Sequence, residues 1–181
     1  MSDINLIKDW AFLEKADNAV LRDNYCQTRD VFQTRLAHLL AETQNYLLVA
    51  SIGEIGNNSF DHNLGNWRDI PGIIFLHDKK AKTVVIADRG QGIKATLSKV
   101  KPDIKDDQTA VKAALTETIS GRAPEQRGNG LKFVSNNVVK NNWSFYLQSG
   151  NGIAEIKEGK TSFQTIAETA NGCSSVIKYQ D

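Results

Sequence analysis

Glu54-Ile55-Gly56-Asn57-Asn58-Ser59-Phe60-Asp61-His62 is the stretch on which the fold turns. At 100° per residue, Glu54, Asn58 and Asp61 fall within a ~60° arc of a helix. Leu48, Ile52 and Ile55 gather on another side, roughly 100–160° from Glu54. A helix that buries one stripe and offers a glutamate, an asparagine and an aspartate along another is suited to serving a site. An amphipathic helix with a solvated polar face has the same pattern, so the assignment depends on what surrounds it.

The chain has 181 residues, enough for one domain with a single core and an appended helical segment. Its 22 lysines and arginines against 21 aspartates and glutamates leave no global field that favours nucleic acid or an anionic membrane. No apolar run approaches the ~18 residues of a membrane span. The first residues lack a basic-then-apolar secretion signal. Cys26 and Cys173 are far apart and form no metal-ligand spacing, consistent with reduced thiols. The expectation is a cytoplasmic protein with no membrane or nucleic-acid partner.

Residues 1–43 are expected to form an N-terminal helical segment, with Leu6, Trp10 and Leu13 as one stripe and Phe32, Leu36, Leu39 and Leu40 as a second. Asp23-Asn24 or Thr28 marks the break and caps the second helix. The helix carrying Glu54 follows and ends near residues 63–66, where Gly65 and its flanking asparagines are typical terminators. Gly72 to His77 and Thr83 to Ala87 are apolar runs joined by a short polar turn, the pattern of a hairpin. The second run is nearly unbroken, as in a strand buried on both faces. From about residue 93 to 127 the chain is more polar. It contains Pro102, Pro124 and a predicted helix from Gln108 to Ile119, and its length suggests a lid or mobile loop. A helix from Gly130 packs Leu131, Val134 and Val138 inward. Four strands are predicted after it, at residues 143–148, 152–156, 161–167 and 174–179, with turns at Ser149-Gly150-Asn151-Gly152 and Ala170-Asn171-Gly172. The sum is an α+β two-layer sandwich of helices on a mixed, mostly antiparallel sheet.

Two glycine motifs join the helix. Asp88-Arg89-Gly90-Gln91-Gly92 follows the buried strand, and Gly128-Asn129-Gly130-Leu131 opens a helix beyond the expected lid. Glu-x3-Asn on a helix, then Asp-x-Gly-x-Gly, then a lid and Gly-x-Gly-Leu, resembles the GHKL ATP-binding superfamily. That group includes gyrase, heat-shock chaperone ATPases, histidine kinases, mismatch-repair ATPases and anti-sigma-factor serine kinases. The resemblance spans roughly Gln44 to the C-terminus, and small standalone members such as the serine kinases are nearest in style. It implies a Bergerat fold over residues 44–181 and ATP with Mg2+ as ligands.

In the roles the resemblance implies, Asp88 accepts a hydrogen bond from the exocyclic amine of adenine, where a guanine carbonyl would be repelled. Gly90 and Gly92 let the backbone approach the base or ribose, with Ile93 beside them. Gly128 and Gly130, followed by Leu131, set amides and a helix N-terminus against phosphate oxygens, and Arg127 adds charge. Asn58 matches the Mg2+ ligand; the ion keeps most of its waters, so one side-chain oxygen plus phosphate oxygens suffices. Glu54 matches the general base, and Asp61 an acidic position that supports the nucleotide through water. Family members usually carry threonine after the final glycine. Here Gly172 is followed by Cys173-Ser174-Ser175, which moves the expected adenine-site hydroxyl to Ser174. No Gly-x4-Gly-Lys-Ser/Thr occurs, so a P-loop is excluded.

His38, between Leu36 and Leu39, has neither the acidic neighbour nor the proline of a phosphoacceptor box, so it is expected on a helix surface. Two jobs fit the motifs. One is hydrolysis of ATP, or transfer of its γ-phosphate to a protein partner, in intracellular regulation. The other is a nucleotide-gated binding module whose lid is read by a partner, with little catalysis. The N-terminal helices are expected to form a homodimer, to dock a partner, or to lie on the chain's own sheet.

Overall fold

A computed structural model of the protein describes residues 22–63, 72–119 and 129–180. The Leu6/Trp10/Leu13 stripe, the terminators after residue 63, Pro124, Arg127 and Gly128 lie outside the described residues.

After the two-residue strand β1 (Tyr25–Cys26), Thr28 starts helix α1 (Arg29–Thr43). Its backbone is extended and its hydroxyl accepts from the Val31 N–H at 3.4 Å, a side-chain N-cap. Gln44, with φ 50°, closes the helix, and its N–H returns to the Leu40 carbonyl at 2.8 Å. One residue on, the Asn45 side chain accepts from Leu48 N–H at 2.9 Å, and helix α2 (Tyr46–Asn63) begins. Phe32, Leu36 and Leu39 of α1 pack with Leu48, Ile52, Ile55 and Phe60 of α2 in one buried core. A side chain at Gly56 would collide with the Phe32 ring, so a glycine there lets the two helices approach. The second apolar stripe assigned to the N-terminal segment thus shares a core with the rest of the described chain.

Strands β2 (Ile73–Asp78) and β3 (Thr83–Asp88) form the expected hairpin, its turn tied by the Asp78 carboxylate accepting from Ala81 N–H at 2.9 Å. All six residues of β3 are buried. The strand order is β1-β2-β3-β5-β4, and all four pairings are antiparallel, in keeping with the mostly antiparallel sheet expected. Val84 and Ile86 of β3 join the α1/α2 core, so the alternation of a strand brings Asp88 to the same, helix-covered face.

The last third departs from the sequence reading. Instead of four short strands there are two long ones, β4 (Ser144–Lys157) and β5 (Lys160–Lys178). They are joined at Glu158-Gly159, both with positive φ (51° and 71°), as a tight two-residue hairpin requires. The glycine-rich stretches at 149–152 and 170–172 are irregularities inside the ladder, where pairing jumps from Ser149↔Cys173 to Gly150↔Ala170 and then to Gly152↔Thr165. A side chain at Gly150 or Gly152 would collide with Asp107. These glycines therefore admit a helix end and a bulge rather than reverse the chain.

Between β3 and β4 the described residues form three helices, α3 (Gly92–Leu97), α4 (Asp107–Thr116) and α5 (Gly130–Lys140). The stretch expected to be a lid is packed as far as it is described. Leu97, Ile104, Ala110 and Ala113 form a small core with Ile93, while Val111 and Leu115 reach the main one. Asp106 caps α4 by accepting from Thr109 N–H at 2.6 Å, and Gln108 Nε2 donates to the Phe163 carbonyl at 3.1 Å. α5 is fixed to α2 by a buried hydrogen bond, Asn137 Nδ2 to Ser51 Oγ at 3.1 Å. Both cysteines are free thiols, and no helix among the described residues is long and apolar enough to cross a membrane. His38 lies on the α1 surface beside Glu42, at 3.5 Å.

Candidate functional site

The end of β3 is built around one carboxylate. Asp88 is 2% exposed, and its Oδ1 accepts from the N–H of Gly90 at 2.9 Å and of Cys173 at 3.3 Å. Burial pushes its pKa up to about 6, against the lowering effect of hydrogen bonds from Gly90, the Ser59 hydroxyl and Cys173. Ser59 lies on α2 next to Asn58, so the carboxylate and the polar face of the helix are joined. Gly172, with φ +93°, carries β5 past this corner, where a side chain would collide with the Asp88 carbonyl and the Arg89 backbone.

Beyond Asp88 the chain turns through Gly92, at φ +79°, into α3. The Ile93 N–H donates to Ser149 Oγ at 2.8 Å. Thr96 Oγ1 donates to the Gly92 carbonyl at 3.1 Å and accepts from Gln91 Nε2 at 3.0 Å. It also lies 3.5 Å from His62 Nδ1. Burial, and then the Lys99 charge, hold His62 below its ordinary pKa, so this wall carries a neutral imidazole at neutral pH.

The third motif meets the first at the start of α5. A Cβ built on Gly130 would stand 2.5 Å from Glu54 Oε2 and 3.5 Å from Asn58 Nδ2. The glycine therefore leaves open the space between the Glu54 carboxylate, the Asn58 amide and the N-terminus of a helix.

A cavity of about 650 Å3 connects these groups, within the usual size of a small-molecule site. Glu54, Asn58, Asp61, Asp88, Gly92, Ile93, Gly130 and Leu131 of the expected set line it. Gly90 stands just behind, against the His62 carbonyl. Ser174 does not belong to the lining. Because Asp88 pairs with Cys173, alternation along β5 turns residues 173 and 175 toward the cavity and 174 to the opposite face. Cys173 and Ser175 line the cavity, while the buried Ser174 hydroxyl has no hydrogen-bond partner. Burial raises the Cys173 thiol, and the Asp88 charge raises it further. Asp61 is ion-paired with Arg29 rather than open on all sides.

Sequence reasoning missed Arg29 and Ser149, and it set the adenine-site hydroxyl at Ser174 where Cys173 and Ser175 line the cavity. Ser149 was hidden in an apparent turn, and Arg29 begins a helix with no motif around it.

Fold and cavity together define an α+β protein with a ligand-sized site, set between a helix polar face, a strand-end carboxylate and a helix N-terminus. No protein-family model matches the sequence, and no curated protein does. Among solved structures, the chain is similar to the 43K ATPase domain of Thermus thermophilus gyrase B in complex with an aminocoumarin. That likeness has a TM-score of 0.46 and 18% identity, and covers 72% of this chain and 33% of the other. It is also similar to the ATP-binding domain of Francisella tularensis topoisomerase IV in complex with a small-molecule inhibitor. There the TM-score is 0.44 and the identity 15%, over 72% of this chain and 62% of the other. The chain thus spans a third of the length of the first and under two thirds of the second. At such identity no residue role passes from either protein to this one.

Proposed function

We propose that this chain is a GHKL-type protein that binds ATP with Mg2+ in the cavity. In this reading it hydrolyses the nucleotide or passes the γ-phosphate to a protein partner. The observation that carries the reading is the meeting of three separate motifs, Glu54/Asn58, Asp88 and Gly130, around one cavity of nucleotide size.

Above its pKa, Asp88 is a carboxylate able to accept the adenine amine, and three donors hold it in one orientation. A keto oxygen at that place would face an acceptor and be rejected. The first-turn N–H groups of α5, which have no partner within the helix, suit phosphate oxygens, and Gly130 leaves room for them. Among the described residues no three His, Cys, Asp or Glu side chains gather as a metal cage. A single Asn58 amide oxygen in an open site instead fits Mg2+, which takes its other ligands from water and phosphate. When bound, the ion neutralises charge on the phosphate oxygens. Glu54, exposed to solvent at the mouth beside Gly130, takes the proton from an attacking water or acceptor hydroxyl.

Incubation with γ-labelled ATP and Mg2+, alone and with cell extract, separates the possible jobs. Free phosphate identifies an ATPase, and a labelled partner band a kinase. Binding without either identifies the nucleotide-gated module. In the first two cases Glu54→Gln keeps the shape, binds ATP, and loses turnover by ~10²–10⁴-fold. Unchanged turnover removes Glu54 from the mechanism.

A further inference from the structure

The cavity is lined by three carboxylates, Glu54, Asp61 and Asp88, and among the described residues by a single lysine or arginine, Arg29. A polyphosphate in such a lining needs fixed positive charge beyond its own metal ion, because each uncompensated carboxylate nearby repels it. Arg29 is placed to meet that need. It is the first residue of α1, set by the Thr28 cap, and reaches α2 across the chain. One guanidinium nitrogen pairs with Asp61, the other donates to Asn57 Oδ1 at 3.2 Å, and the group lies 5.3 Å from the centre of the Phe60 ring. Its side chain is still 40% exposed, and among the described residues its two contacts use two of the five guanidinium N–H donors, leaving three for a ligand.

We propose that Arg29 is the anion-reading residue of this cavity. Its planar fork takes the polyphosphate of a nucleoside di- or triphosphate. Asp61, Asn57 and Phe60 hold that fork in place, which makes Asp61 a positioning residue rather than a nucleotide ligand. The inference rests on the ATP reading and adds that the residue discriminating phosphorylated from unphosphorylated nucleoside comes from α1, outside the three motifs.

Calorimetric titration of wild type and Arg29→Gln with adenosine and with ATP, in Mg2+ buffer, tests it. Losing charge-assisted hydrogen bonds should weaken ATP binding by ~10–150-fold, while adenosine affinity stays at the wild-type value. Inorganic tripolyphosphate should displace ATP from wild type and bind Arg29→Gln more weakly by the same ~10–150-fold. If ATP and adenosine weaken together, Arg29 merely supports the fold of the site and the proposal is overturned; it is equally overturned if ATP affinity is unchanged. Wild type that takes up neither adenosine nor ATP instead sinks the nucleotide reading itself. Should Arg29→Gln not fold, Arg29→Lys carries the same comparison with a smaller expected loss, since it keeps the charge near Asp61 and gives up the fork.

Discussion

Gly130→Ala separates the site from the scaffold. The added methyl would stand 2.5 Å from Glu54 Oε2, and an ordinary carbon–oxygen contact begins near ~3.4 Å, so the carboxylate must retreat by about 0.9 Å. Glu54 is exposed and its side chain is free to swing away, so folding loses little. Alanine in place of glycine at a helical position instead tends to stabilise, by up to ~0.5–1 kcal/mol. Catalysis is less tolerant, because misplacing a reacting group by about 1 Å costs on the order of 10²-fold. The variant should therefore melt at or slightly above the wild-type temperature while its ATP turnover falls by about 10²-fold. Thermal denaturation followed by circular dichroism and a phosphate-release assay measure the two on one preparation. Wild-type turnover would refute the juxtaposition of Gly130 and Glu54. A large drop in melting temperature would refute the claim that only a flexible side chain stands in the way.

Other consequences follow from Asp88, Gly172 and Ser51. Protonation of Asp88 turns a charged acceptor for the adenine amine into a weaker neutral one with its own O–H donor, so adenosine, which has no phosphate to titrate, should bind progressively more weakly as pH falls through about 6; by a pH one unit below, the loss should reach at most roughly tenfold. The same raised pKa means the folded state holds the proton longer than the unfolded chain. Stability due to this group is therefore present below the ordinary carboxylate range and lost as pH rises to about 6. Asp88→Asn should accordingly gain stability relative to wild type across that window, and a flat difference in denaturant midpoints would contradict it. Gly172→Ala forces a side chain into the Asp88 backbone at φ +93° and should cost at least ~1–3 kcal/mol, read from urea denaturation; an unchanged midpoint would refute the corner. Asn137→Leu leaves the buried Ser51 hydroxyl without its donor and should destabilise by ~1–3 kcal/mol in the same assay; no shift would show that Ser51 finds another partner.

Much of the architecture was legible because it is written in local signals. Phe32, Leu36 and Leu39 repeat at helical spacing, Thr28 offers a cap, and the unbroken run before Asp88 marks a central strand. What escaped depends on contacts distant in sequence. The Ser149–Gly152 stretch has turn chemistry, yet its glycines serve to admit Asp107 from α4, a neighbour no local pattern reveals. The real reversal, Glu158-Gly159, looked unremarkable because a positive φ at glutamate is an adaptation to the hairpin. Ser174 lies outside the cavity lining by parity. Whether residue 173 or 174 faces the cavity is set by the Asp88↔Cys173 register, and a one-residue error in a strand inverts the face. Arg29 carried no signal at all, since a first-turn arginine is usually solvated and its partner Asp61 lies 32 residues away. The three motifs were readable for the opposite reason, because each pairs an unusual residue set with an expected helix or strand end.

The central claim is that a buried carboxylate at Asp88 selects adenine in a cavity that also takes a triphosphate. Equilibrium binding of ATP and GTP to the purified chain in magnesium buffer tests it most directly. The account predicts saturable, one-to-one binding of ATP and markedly weaker binding of GTP. No saturation with ATP at millimolar concentration, or GTP binding as tightly as ATP, would contradict it.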